Sequence, residues 1–173
     1  MNFFNTHISS KAYELVKETL DSTLISEGKQ VAQFETALHE VLGLLHPVAV
    51  NSGTSALHLA LVLVGVKPGD EVILPPQTFV ATGLVILMQG ALPVFADIEP
   101  MTGNISPASI RAKITPRTKA IMPVHWAGYP CEMDEINAIA NEYDLAVVED
   151  AAHALGATYK GRPVGSISRF TAF

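Results

Sequence analysis

The stretch Gly69-Asp-Glu-Val-Ile-Leu-Pro-Pro-Gln-Thr-Phe-Val-Ala-Thr-Gly-Leu-Val-Ile-Leu-Met-Gln-Gly-Ala-Leu-Pro-Val-Phe-Ala-Asp97 carries no charged side chain from Val72 to Ala96. By count it is long enough to cross a bilayer. Its punctuation argues otherwise: Pro75, Pro76 and Pro93, with Gly83, Gln89 and Gly90, cut it into pieces. Proline removes a backbone donor and glycine loosens the chain. The run therefore divides into a strand at 71–74, a helix at 78–88 and a second strand at 92–97, with Gly69-Asp70 turning into the first. The stretch is a β-α-β unit, and no membrane span is expected.

Working outward, the same rhythm continues. Towards the C-terminus, a helix at 107–114 has Pro107 in its first turn, where a missing N–H costs nothing. A strand at 119–124, a helix at 133–143 and a strand at 145–149 ending on Asp150 follow. Tyr159-Lys-Gly-Arg-Pro163 reads as a hairpin turn, and 169–173 as a last strand. Towards the N-terminus, Pro47-Val-Ala-Val50 reads as a short buried strand, followed by Asn51-Ser-Gly-Thr-Ser55 and an apolar helix to 64. Helices at 10–23 and 30–44, interrupted by Gly28, form a separate helical segment over 1–45. Residues 46–173 then make one α/β unit. Alternating strands and helices imply a three-layer sandwich with a mostly parallel sheet. There is no internal repeat and no low-complexity tract.

Of the 173 residues 49% are hydrophobic and only 16% charged, against roughly 25% charged in ordinary soluble domains. Either the core is very compact, or apolar surface is covered by something outside the chain. The net charge is -6, and lysines and arginines never cluster, so a nucleic-acid partner is not expected. A lone Cys131 rules out an intramolecular disulfide and suits a reducing compartment. The first twenty residues mix polar, charged and apolar side chains and do not read as a signal peptide. A cytoplasmic protein is expected.

In a parallel sheet, ligands bind beyond the carboxyl ends of the strands. That rule selects 51–55, 75–79, 125–128 and 150–153. Ser52-Gly-Thr-Ser55 before a helix suits an anion, most naturally a phosphate, because glycine permits close approach and the helix end offers free N–H groups. A simple N-cap favours the same residues. No Gly-Lys-Ser/Thr follows, so it is not a P-loop. Phe79 either stacks on a flat ring or starts the next helix's core. Asp150 is delivered at a strand end with His153 three residues on. Such a carboxylate keeps a pyridine nitrogen protonated, but it also suits a helix cap. A metal set of Asp150, His153 and His125 is a rival, although the spacing fits no tight metal motif.

Taken together, the motifs resemble a known family. Asn51-Ser-Gly-Thr-Ser-Ala-Leu-His-Leu-Ala60, Gly69-Asp-Glu-Val-Ile-Leu-Pro75, Thr78-Phe79, Pro123-Val-His-Trp-Ala-Gly128 and Glu149-Asp-Ala-Ala-His-Ala-Leu-Gly156 occur in the order seen in the DegT/DnrJ/EryC1/StrS sugar aminotransferases. Lys29-Gln-Val-Ala-Gln-Phe-Glu35 is similar to their N-terminal helix motif. The resemblance implies a pyridoxal-phosphate (PLP) enzyme of fold type I, represented by part of its large domain. It implies transfer of an amino group, usually from glutamate, to a keto sugar carried on a nucleotide, in surface-polysaccharide or amino-sugar biosynthesis. It implies that Thr54 and Ser55 hold the cofactor phosphate, Phe79 stacks on the ring, Asp150 pairs with the ring nitrogen and His153 sits near the phenolic oxygen. His125 is expected to line the substrate site, and the chain to form a homodimer or higher oligomer.

The chain departs from the family pattern at one point. The family's strand corresponding to 169–173 leads into the Schiff-base lysine, which would lie beyond Phe173. Lys160, in its hairpin turn, is no replacement. The expectation is a truncated large domain, inactive alone. The alternatives are a non-catalytic remnant or assembly partner, and a PLP-dependent sugar dehydratase of the same fold.

Overall fold

In a computed structural model describing residues 7–26 and 28–173, the elements run α1 (Ser10–Asp21), α2 (Lys29–Leu42), α3 (Gly53–Leu63), β1 (Glu71–Leu74), α4 (Val80–Met88), β2 (Leu92–Phe95), α5 (Pro107–Lys113), β3 (Thr118–Ile121), a 3-10 turn (Trp126–Gly128), α6 (Met133–Glu142), β4 (Ala146–Asp150), β5 (Thr158–Tyr159), β6 (Arg162–Pro163) and β7 (Phe170–Ala172). Five strands form one sheet in the order β2-β1-β3-β4-β7, and every pairing in it is parallel. From β2 the chain returns across β1 to lay down β3, so strand order reverses there, and the carboxyl ends beside such a reversal form a natural crevice.

The central strands are apolar on both sides because both sides are covered. Val72, Leu74, Ala120, Met122 and Val148 pack with Leu57 and Leu61 of α3 and Val85 and Ile86 of α4. Ile73, Ile121 and Val147 point the other way, into Ile110 of α5 and Met133, Ile136 and Ile139 of α6. Successive side chains alternate between the two cores, as the period of a strand requires. The result is the expected three-layer sandwich. Pro93 lies on β2, at a sheet edge, where its missing N–H breaks no ladder.

Several elements differ from the sequence reading. Residues 47–50 form no strand; the Ala49 N–H donates instead to Glu35 Oε1 of α2 at 2.8 Å, and Val48 is exposed. A side chain of α2 has replaced a sheet neighbour. Helix α4 begins at Val80, so Phe79 is its N-cap and not its first core residue. Strand β3 ends at Ile121, although Val124 still bridges Asp150. Lys160 and Gly161 turn the β5-β6 hairpin with φ of 49° and 79°, the left-handed pair that tight hairpins use.

Helices α1 and α2 contain no buried residue, and Tyr13, Val16, Leu20, Phe34 and Val41 are exposed. Part of the apolar excess in the composition is therefore surface. No helix among the described residues is long and apolar enough to cross a membrane.

Glu71 opens β1 from a buried position. Its Oε2 accepts from Thr115 Oγ1 at 2.6 Å and its Oε1 from Arg117 Nε at 2.9 Å. The Thr115 hydrogen bond outweighs burial and, with Arg117, holds the carboxyl below the usual glutamate value. A depressed native pKa adds stability that is complete above the unfolded value and is lost as pH falls through the native one. In Thr115→Val the urea midpoint should therefore fall less steeply between about pH 6 and about pH 3 than in the parent. Superimposable profiles would refute this.

Candidate functional site

Strand β4 ends in a carboxylate held on all sides. The Asp150 N–H donates to Pro123 O at 2.9 Å, and its C=O accepts from the His125 N–H at 3.0 Å. The Ala151 N–H donates to Ala172 O at 2.7 Å, so the segment that follows β3 and the end of β7 clamp the strand end from either side. The Asp150 side chain is 6% exposed. Its Oδ2 accepts from Thr82 Oγ1 at 2.7 Å, and Thr82 Oγ1 lies 2.6 Å from Thr78 Oγ1. Its Oδ1 accepts a longer bond, 3.3 Å, from the Ala152 N–H.

The N-terminus of α3 faces the same place. Ser52 caps the helix: its Oγ accepts from the Ser55 N–H at 3.1 Å and its carbonyl from the Ala56 N–H at 3.0 Å. The N–H groups of Gly53 and Thr54 remain outside the helix's own bonding, at its positive dipole end. N-cap and anion site are therefore not alternatives here. Ser52 takes the capping role, and the two N–H groups beyond it stay free for an anion.

A cleft of about 210 Å³ lies between these elements, lined among others by Gly53, Thr54, Thr78, Phe79, Thr82, Asp150 and His153. Phe79 is 71% exposed, a large apolar ring left in water at the cleft wall. Of the residues expected from the sequence, Thr54, Phe79, Asp150 and His153 meet at this cleft. Ser55 stands one step back, its hydroxyl 3.1 Å from Ser52 Oγ. The His153 ring meets Trp126 edge-on, with centroids 6.0 Å apart. Gly128 makes that approach possible: at φ +85° it sits where a Cβ would come within 2.8 Å of His153 O. Asn104, unnoticed in the sequence, fixes the Trp126 loop by accepting from the Trp126 N–H and donating to Tyr129 O, both at 2.9 Å.

His125 is a correction. It does not line the cleft; its side chain is fully buried. The Cys131 N–H donates to Nδ1 at 3.0 Å, so that nitrogen carries no proton, and Nε2–H donates to Glu149 Oε2 at 2.8 Å. Glu149 Oε1 accepts from the Ser168 N–H at 2.9 Å and Thr171 Oγ1 at 3.3 Å. This cluster ties the segment after β3 to β4 and β7 beneath Asp150. Strand alternation explains it: Glu149 and Asp150 must point to opposite faces. His125 therefore cannot share a ligand set with Asp150 and His153. Among the described residues no three His, Cys, Asp or Glu side chains converge as a metal site. Burial, then the Glu149 charge, pushes the Cys131 thiol up to about 12, which leaves it unreactive. Among the described residues no lysine lines the cleft. Lys160 donates to Asp134 at 2.7 Å, and that bond raises its pKa.

The sequence profile of the DegT/DnrJ/EryC1/StrS aminotransferase family matches residues 6–173. The chain belongs to this family. Spore coat polysaccharide biosynthesis protein SpsC of Bacillus subtilis is 51% identical over 166 residues, covering 96% of this chain and 43% of that protein. GDP-perosamine synthase of Caulobacter vibrioides is 47% identical over 161 residues, covering 92% of this chain and 43% of that one. The solved structure of the putative sugar aminotransferase Spr1654 from Streptococcus pneumoniae, in its pyridoxamine-phosphate (PMP) form, superimposes with a TM-score of 0.93 at 35% identity, covering 99% of this chain and 47% of that chain. The chain thus spans less than half the length of each relative. The family member's α/β sheet is that of PLP-dependent transferase fold type I.

Proposed function

We propose that this chain forms the cofactor-holding part of a PLP-dependent aminotransferase that moves an amino group from glutamate to a nucleotide-linked keto sugar, for surface-polysaccharide or amino-sugar biosynthesis. One observation carries the reading: an anion-ready helix end, an exposed aromatic ring and a buried carboxylate meet in a single cleft. These three features suit the three parts of pyridoxal phosphate: its phosphate, its flat ring and its basic ring nitrogen. The nucleotide-sugar part rests on the names of relatives, one a polysaccharide biosynthesis protein and one a GDP-perosamine synthase.

In this reading Thr54 and Ser55 take the phosphate with the free N–H groups of α3. Phe79 covers one face of the ring and excludes water from it. Asp150 accepts from the ring nitrogen and holds a proton there, while His153 reaches the phenolic oxygen. Bound PLP supplies an electron sink for the carbon that gains or loses the amino group. With no lysine at the cleft among the described residues, the 173-residue chain by itself should bind cofactor reversibly and move no amino group.

PMP is the suitable probe because its binding needs no lysine. Titration of the purified chain, followed by ligand fluorescence, should show saturable binding. Pyridoxamine, which lacks the phosphate, should bind about tenfold or more weakly, since it leaves the helix end unpaired. No saturable PMP binding, or equal affinity for both ligands, would overturn the proposal.

A further inference from the structure

The geometry points to Thr82 as the positioning residue for Asp150, with Thr78 fixing the direction of its proton. This rests on the proposed pairing of Asp150 with the cofactor's ring nitrogen. Thr82 is fully buried on α4, 68 positions from the carboxylate it contacts. Its hydroxyl owns one proton, and that proton goes to Asp150 Oδ2. The contact with Thr78 at 2.6 Å must then use the Thr78 proton, donated to a Thr82 lone pair. The two hydroxyls form a directed chain, Thr78 to Thr82 to Asp150, in which each bond polarises the next.

The chain has a consequence for the cleft. A strand-end aspartate has a broad χ2 and can turn its carboxylate plane freely. The bond from Thr82 stops that rotation, while Asp150 Oδ1 is held only by the long 3.3 Å bond from Ala152 N–H and keeps acceptor capacity for the cleft. If Thr78 did not occupy the Thr82 oxygen, the Thr82 hydroxyl could turn away and release the carboxylate. Both threonines also line the cleft, so a bound ring would close water off from the chain.

The test compares PMP with an analogue carrying carbon in place of the ring nitrogen, and reads the ratio of their dissociation constants. In the parent chain PMP should bind more tightly, because only it offers a ring N–H to Asp150. Asp150→Asn should bring the ratio close to one. Thr82→Val removes the hydroxyl at nearly constant shape and should cut the ratio by about fivefold to tenfold. Thr82→Ser, which keeps the donor, should restore it, and Thr78→Val should cut it by about threefold. A ratio untouched by Asp150→Asn would overturn the ring-nitrogen reading itself. A ratio that collapses in Asp150→Asn but survives Thr82→Val, or a Thr82→Val variant that weakens both ligands equally, would overturn the role of Thr82. Should Thr82→Val not fold, an unchanged ratio in Thr78→Val would overturn it instead.

Discussion

Replacing His125 with alanine should cost about 3–5 kcal/mol of folding stability, because the neutral ring serves two buried partners and fills its own space. The reason lies in what the ring leaves behind. Glu149 is fully buried and keeps only the Ser168 and Thr171 donors, both on Oε1. Its Oε2 loses its one protein donor, Nε2–H of His125. At the same time the buried Cys131 N–H loses the Nδ1 acceptor. A hydrogen bond to a charged group, an orphaned N–H and a cavity are lost together. Out of a total of about 5–15 kcal/mol for a typical domain, that is enough to unfold a marginally stable one. His125→Gln separates the parts, since its amide can still donate to Glu149, and it should lose about 1–3 kcal/mol less than the alanine variant. Urea titration of both variants checks this. A loss below about 1 kcal/mol in His125→Ala would show that the cluster does not hold the three strands.

Much of the fold was legible because it depends on short-range rules. The β1-α4-β2 unit could be read from where Pro75, Pro76, Gly90 and Pro93 fall, and both strands begin where that reading has them. The failure at 47–50 is of another kind. Its apolar residues suit a strand, but a strand needs a neighbour, and nothing local says that Glu35 will take the Ala49 N–H first. The site divides in the same way. Thr54, Phe79, Asp150 and His153 follow from residue type at strand and helix ends. His125 does not, because an apparent strand-end histidine can turn inward as readily as outward, and only the position of Glu149 decides which. Thr82 left a trace, because a helix read over 78–88 sets it one turn after Thr78, although Thr78 itself lies just ahead of α4. The partner of Thr82, Asp150, is 68 positions away, and only the strand order brings the first turn of α4 within reach of the carboxyl end of β4.

Asp150→Asn should weaken PMP binding by about tenfold to a hundredfold, the worth of a hydrogen bond to a charged group, while leaving the fold nearly intact. The second half of that expectation comes from the threonine chain. An asparagine with its amide nitrogen at the Oδ2 position would face a Thr82 proton, but the chain can reverse: the amide donates to Thr82, and Thr82 donates to Thr78. No buried group is orphaned, and Oδ1 still accepts from the Ala152 N–H. Folding stability should change by less than about 1 kcal/mol. The ligand feels the change directly. A carboxylate favours the protonated ring, so the parent's affinity for PMP should be full at low pH and decline as pH rises through the bound ring nitrogen's pKa. With its carbonyl oxygen towards the cleft, the neutral amide cannot bond the unprotonated nitrogen and lacks the charge that holds a proton on it, so the affinity of Asp150→Asn should be low and nearly flat over the same range. Fluorescence titrations of both proteins across pH decide the matter. Parallel pH profiles would mean that Asp150 shapes the cleft without touching the ring nitrogen.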